Sequence, residues 1–483
     1  MKRGQDKIAR PEKPASLKRR AFLNMIRGTT IGMSAAAVPL AAAHAQRAET
    51  DGRSGATFDV RQFGARGDGA SDDSRAIQTA IDRASAAGGG VVEFPPGDYR
   101  CIGIVLKPNV DLNGLQRRSI LRARSIGTLL TVPQDVRDSS VHGLSFRGVT
   151  DRSPSVGLRL HGIGNFVSRC DFNGFADEGI LIAEGGLVHH LEYVFADNCL
   201  RVPRSKVSGV LTVGAHDCTL FNVEIAGGLG TRLGQILEPD DNNWCIYIIG
   251  ANTFMTDCVA EVGQGGIRIA ASSQQNRIEN TRSDLNARHG WFIEGTRSQF
   301  SNCIALNCGL EGMQSGKAVG WPGWYLLAAA HNTFTNCRNH LEGYDGNVTF
   351  GFEEYGDDPG RDGNRRINNL IGCTSFGHKI AAFDTKSAGP LNGNNVHSVA
   401  VTIGSEEIEV YNLAILELRN AAATRIANFR GTRGQRVVIV GGTVAATIVH
   451  GRHIKTRTGQ PLVVQPETAF EFVNVRDVWY QLV

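Results

Sequence analysis

The sequence predicts an all-β solenoid: a parallel β-helix with one helix over its N-terminal end and an antiparallel β domain capping its last coil. Three observations point there. Short alternating stretches recur with a glycine-plus-apolar corner, at Gly266-Ile267, Gly290-Trp291 and Gly312-Met313, in steps of 24 and 22 residues. Helical periodicity is confined to one stretch near the N-terminus. Finally, the chain of 483 residues uses 58 glycines and 15 prolines at an ordinary 41% hydrophobic content. That composition is turn-rich and foldable, and excludes a disordered or collagen-like chain.

Residues 1–45 read as an export segment rather than as structure. They hold nine Lys/Arg against Asp6 and Glu12, then a weakly apolar run from Gly28 to Ala43, and Ala43-His44-Ala45 as a small-residue cleavage pattern. Arg19-Arg20 followed by Phe22-Leu23 resembles a twin-arginine signal, which implies a periplasmic or secreted protein. The apolar run is short and rich in Gly, Ser and Thr, so no membrane span is expected in the mature chain. The formal charge of +4 comes from this segment, and no basic block survives elsewhere to bind nucleic acid. Residues 46–57 are a linker.

The β-helix is expected over 58–395. Asp72 or Asp73 can cap a helix to Ala86 whose Ala76, Ile77, Ala80, Ile81 and Ala84 share one face, and this helix covers the open end of the solenoid. Aligned coils begin at Asn165, Asn252, Asn276 and Ser298. Strands too short for hairpins, without helices between them, pair fully only by stacking coil on coil. Cys170, Cys218, Cys258, Cys303, Cys337 and Cys373 recur in one local setting, which predicts a buried ladder of free thiols rather than disulfides. Longer intervals mark inserts at 227–250, 314–331 and 341–368. From residue 396 to 483 the pattern changes to alternating strands with Gly and Asn turns. This is the capping domain, and a candidate surface for association with a second copy.

The segment FDVRQFGARGDGASDDSRAIQTAIDRASAAGGGVVEFPPGDY (58–99) closely resembles the opening of the pectate-lyase-like superfamily of right-handed parallel β-helices, the rhamnogalacturonase/epimerase type included. That resemblance implies a right-handed coil and a polysaccharide partner. It spans lyases, hydrolases, epimerases, transferases and phage tailspikes, so it does not choose a reaction.

The inserts bring acids and aromatics together. Asp240, Asp241 and Trp244 lie in the first, Lys317, Trp321, Trp324 and Tyr325 in the second, and Tyr344 in the third with several acids. Rings stack on sugar faces and carboxylates move protons. Glu178, His289 and Glu311 each precede a corner glycine, with Arg288 beside His289, which predicts an outward-facing edge. Candidates for catalysis are therefore Asp240, Asp241, Glu261, His289 and Glu311. Candidates for substrate binding are Glu178, Trp244, Arg288, Lys317, Trp321, Trp324, Tyr325 and Tyr344. No cofactor is required, although the oxygen-rich runs 238–243 and 356–364 are candidate calcium ligands.

Three mechanisms fit these residues. Hydrolysis of a glycosidic bond uses two carboxylates, and the acid and tryptophan content favours it. Lyase or uronate-epimerase chemistry uses a base plus a cation against the uronate carboxylate, for which Arg288, His289, Lys317 and Tyr325 are available. A non-catalytic sugar-binding or tailspike-like assembly protein is the third. The separated aspartates and Gly-His-Gly of polygalacturonases are missing, and so is the acid-histidine motif of alginate epimerases, since Tyr355-Gly356-Asp357-Asp358-Pro359 has no following histidine.

Overall fold

The structure is a computed structural model that describes residues 55–149, 155–200, 206–228, 242–309, 321–341, 350–355, 368–376, 381–384, 406–410, 415–418, 422–431 and 433–483. The export segment lies outside these residues. No helix among them is long and apolar enough to cross a membrane.

The chain winds as a right-handed parallel β-helix with three sheets of 12, 12 and 11 strands. One coil runs Phe166–Ser168, Asp171–Asn173 and Ile180–Ile182, one strand in each sheet. The next begins at His190, which pairs in parallel with Phe166. The turn between the first and second sheets explains the recurring polar-then-cysteine motif. Its residue is left-handed in coil after coil, at Asn222, Asp257, Asn280, Asn302 and Asn336, with φ between 50° and 54°. Asn and Asp tolerate that conformation best among non-glycine residues. The following residue then points inward, and Cys170, Cys258, Cys303, Cys337 and Cys373 fill that row at 0–1% exposure.

All ten cysteines are free and buried, but Cys218 does not belong to that row. Register places it before the first-sheet strands instead, in line with Asn165, His189, Thr253, Asn276, Ser298, Asn332 and Asn368. This second row is a polar ladder whose amides bond the neighbouring coil, as where Asn276 Oδ1 accepts from Thr253 N at 3.0 Å. The corner glycines have a packing reason: a Cβ on Gly266 would stand 2.0 Å from Ser283 Oγ.

Helix α1 (Ser74–Ala86) buries Ile77, Ala80, Ile81 and Ala84. The two aspartates before it divide the work. Asp72 Oδ1 accepts from Ser74 N at 3.1 Å, while Asp73 braces the preceding turn through Arg66 N and Gly67 N. The Gln78 carboxamide pairs with both backbone groups of Val105, at 2.9 and 3.0 Å. Val105 lies on the edge strand of the third sheet, so α1 satisfies an edge that would otherwise invite another chain.

The C-terminal strands differ from the antiparallel expectation. Glu407–Glu409, Ile415–Leu418 and Thr424–Ile426 pair in parallel with Asn428–Arg430, Arg436–Gly441 and Ala446–Ile448, at register advances of 21, 23 and 22 residues. The coil period therefore continues here. Antiparallel pairing enters only with Leu462–Val464, Ala469–Val475 and Val478–Gln481. This region has its own core, centred on Trp479, Phe472 and Phe429.

Candidate functional site

A cleft of about 430 Å³ opens on the outer face of the third sheet. Its lining follows from strand register. After each corner glycine the chain alternates inward, outward, inward, so the outward residues of successive coils stack as Tyr247, Arg268, Phe292, Tyr325 and Glu353. One residue before the glycines runs a second row, Trp244, Gly265, His289 and Pro322. One residue further back runs a third, Asn243, Gln264, Arg288 and Trp321. At the usual strand spacing, five coils extend about 19 Å.

Local sequence shapes this wall. A Cβ on Gly265 would lie 2.5 Å from the Trp244 ring, so the glycine admits that indole across the neighbouring coil. Arg268 donates through Nε and Nη2 to Glu294 at 3.0 and 2.9 Å, and its guanidinium lies 4.6 Å from the centre of the Phe292 ring. Arg288 lies over Trp321 at 4.7 Å. His289 donates Nδ1–H to the Pro322 carbonyl at 3.1 Å, leaving the lone pair on Nε2. Its ring stacks on Tyr325 at 4.9 Å and 14°. Burial drives the His289 pKa down to about 3, and Arg288 and Arg268 push the same way. The imidazole is therefore neutral at physiological pH.

The structure brings together Trp244, Arg288, His289, Trp321 and Tyr325 from the sequence-derived candidates. Arg288, His289 and Glu178 do not face outward as an exposed edge. They are 7%, 5% and 7% exposed. Glu178 lies four coils before His289 and does not line the cleft. Trp324 is a core residue: it is fully buried, stacked between Trp291 at 4.6 Å and Phe352 at 5.4 Å, and donates to Arg338 O. The alternation that turns Tyr325 outward turns Trp324 inward. Glu261 sits on the second sheet's outer face near Arg282, at 3.8 Å, away from the cleft.

Asp240, Asp241, Glu311, Lys317 and Tyr344 lie outside the described residues, as do nearly all the candidate calcium ligands. Among the described residues no group of three or more His, Cys, Asp or Glu is placed to hold a metal. The flanks of the inserts are described. The first and second each leave a second-sheet strand and return at the start of a third-sheet strand, ending at Asn243 and Trp321 on the same cleft. The third is interrupted by the strand Phe350–Tyr355, so Glu353 belongs to the sheet and not to a loop.

Residues 57–147 match the family Rhamnogalacturonase A/epimerase, pectate lyase-like. Over 125 residues the chain is 36% identical to mannuronan C5-epimerase AlgE6 of Azotobacter vinelandii, covering 25% of this chain and 14% of that protein. Alginate lyase 7 of the same organism is 46% identical over 65 residues, 12% of this chain and 8% of that one. The matched segments thus span a small fraction of these relatives. Among solved structures, the AlgE4 A-module of a mannuronan C-5 epimerase from the same organism superposes with a TM-score of 0.51 at 16% identity, over 70% of this chain and 100% of that one. The tailspike of E. coli bacteriophage HK620 gives 0.52 at 12% identity, over 81% and 76%. Such identities establish a shared fold and nothing finer.

Sequence reasoning missed Gln264, Arg268 and Phe292, and it read Asn243 and Glu353 only as oxygen ligands or acids of the inserts. A signal for two of them was present. In Gly-Ile-Arg-Ile and Gly-Trp-Phe-Ile, the residue two after the corner glycine is the outward one, which selects Arg268 and Phe292 as it does Tyr325.

Proposed function

We propose that the protein binds a uronate-containing polysaccharide in the third-sheet cleft and removes the proton from the carbon bearing the carboxylate, as a lyase or an epimerase. The observation that carries this reading is a neutral, buried histidine in one wall with Arg268 and Arg288. A carbon–hydrogen bond beside a carboxylate becomes acidic when cations take up the charge that develops on the carboxylate oxygens. Arg288 and Arg268 supply that charge, and His289 Nε2 supplies the acceptor. Burial keeps His289 neutral in the absence of substrate, and a carboxylate placed beside it raises its proton affinity. Tyr325, stacked on His289, is the donor. It protonates the leaving oxygen in elimination, whereas in epimerisation the opposite ring face takes its proton from solvent.

The names of the relatives, mannuronan C5-epimerase and alginate lyase, cover these two outcomes. Hydrolysis requires a pair of carboxylates across the bond. Among the described lining residues Glu353 is the one carboxylate, so hydrolysis would rest on Asp240, Asp241 and Glu311.

The test is incubation in heavy water with alginate, polygalacturonate and dextran. Deuterium at the carboxylate-bearing carbon, or ultraviolet absorbance of unsaturated uronate, is expected with a uronate polymer and not with dextran. New reducing ends without either signal would replace this reading by hydrolysis. Retention of a polymer without any chemical change would make the protein a sugar binder.

A further inference from the structure

The inference rests on the cleft being a sugar site, as proposed above, and concerns what the site selects. The wall row Asn243, Gln264, Arg288, Trp321 is cationic within and neutral at both ends. Asn243 is 2% exposed, and neither its Oδ1 nor its Nδ2 has a hydrogen-bond partner among the described residues. Trp321 Nε1 is equally closed to water and equally unmatched. Single unmatched buried atoms also occur away from the cleft, at Thr253 Oγ1, Asp284 Oδ1 and Asn339 Oδ1, but the buried indoles and the ladder amides outside it are satisfied. The indoles of Trp291, Trp324 and Trp479 donate to Ile304 O, Arg338 O and Phe429 O at 3.1, 2.9 and 2.7 Å. The amides of Asn276, Asn332 and Asn368 bond across the polar ladder. A buried polar group without a partner is costly, and two in one row of one cleft mark where a ligand supplies the partners.

We infer that Asn243 and Trp321 determine specificity by hydrogen-bonding ring hydroxyls of the sugars that flank the uronate held at Arg288. A carboxamide offers an acceptor and two donors in one plane, which suits adjacent hydroxyls on a pyranose, and an indole N–H suits a single hydroxyl oxygen. Register separates the two readers: Asn243 lies two coils before Arg288 and Trp321 one coil after it, about 10 and 5 Å along the sheet. They therefore read different rings of the chain. O-acetylation replaces the hydroxyl proton and adds bulk against a closed wall, so the cleft selects unacetylated polymer.

Calorimetric binding of alginate and of chemically O-acetylated alginate to the wild type, Trp321→Phe and Asn243→Ala tests this. Trp321→Phe keeps an aromatic ring under Arg288 and removes only the indole N–H. The wild type should prefer the unacetylated polymer, and each variant should bind it about tenfold more weakly and discriminate less, with an unchanged melting temperature. Variants that bind alginate like the wild type but melt lower would overturn the inference, because these groups would then serve the fold and not a ligand. A wild type that binds no uronate polymer overturns the proposed function as well, which separates the two failures.

Discussion

His289 is a histidine in a place where its charge is suppressed. Burial and two neighbouring arginines hold its pKa near 3, well below the ordinary histidine value of about 6.5. The free protein therefore carries a proton acceptor at Nε2 across the whole neutral range. Since kcat/KM reports the free enzyme, its pH profile should show no acid limb near pH 6.5 from this residue. His289→Gln should lower kcat by roughly two to four orders of magnitude. An acid limb near 6.5 that disappears in His289→Gln would show that the ring titrates normally and that the cleft is wetter than its packing implies. Arg268 is fixed by Glu294 through two contacts. It orients the aromatic wall as much as it meets an anion.

At the scale of elements, the solenoid is organised by rows that repeat once per coil. The polar ladder is instructive because one member can titrate. His189 is fully buried in line with Asn165 and Asn276, and burial, with His190 adding, lowers its pKa to about 4. The unfolded chain binds that proton more readily than the folded one. His189 therefore contributes full stability above about pH 6.5, and the contribution falls away as pH drops toward 4, by up to about 3 kcal/mol. His189→Asn puts the ladder's commonest residue in this place and removes the titration. The melting temperature of this variant should decline less between pH 7 and pH 4.5 than that of the wild type. An identical decline would assign the acid sensitivity to other groups, His289 first among them.

At the scale of the molecule, parallel stacking turns a residue's position within a coil into a position along a groove. The outward row does not stop at the cleft. It continues toward the N-terminus through Thr212, Leu181, Arg159 and Thr131. Each step is about 4.8 Å, so a polymer lying in the cleft meets side chains well beyond the reacting sugar. Turnover of a length series of uronate oligomers should rise in kcat/KM over several added units before it levels off. A rate that is already maximal with a disaccharide would confine binding to the cleft itself. The same construction continues into the C-terminal strands, whose parallel pairs keep a spacing of 21 to 23 residues around a separate core.

The repeat was legible in the chain by itself: corner glycines at Gly266 and Gly290, Asn/Asp before an inward cysteine, and a single amphipathic helix whose Ile77 and Ile81 cover the first coil. These are local requirements of backbone conformation and side-chain size, which a linear pattern records directly. The next corner is Gly323 and not Gly312, so Glu311 is not a corner residue. His289 and Arg288 were legible too, as polar residues beside a corner glycine, and Trp244, Trp321 and Tyr325 as aromatics of the inserts. Which of them share a cavity was not, since that depends on coil-to-coil register across insertions of unequal length. Trp324 and Tyr325 are adjacent in sequence, yet one is packed between Trp291 and Phe352 while the other stacks on His289 at the surface of the sheet. Cys218 likewise shares the wording of its neighbours but stands in another row. A repeat determines what each position can be, and only the stacked coils decide which positions meet, because those contacts are made between residues about two dozen or more apart.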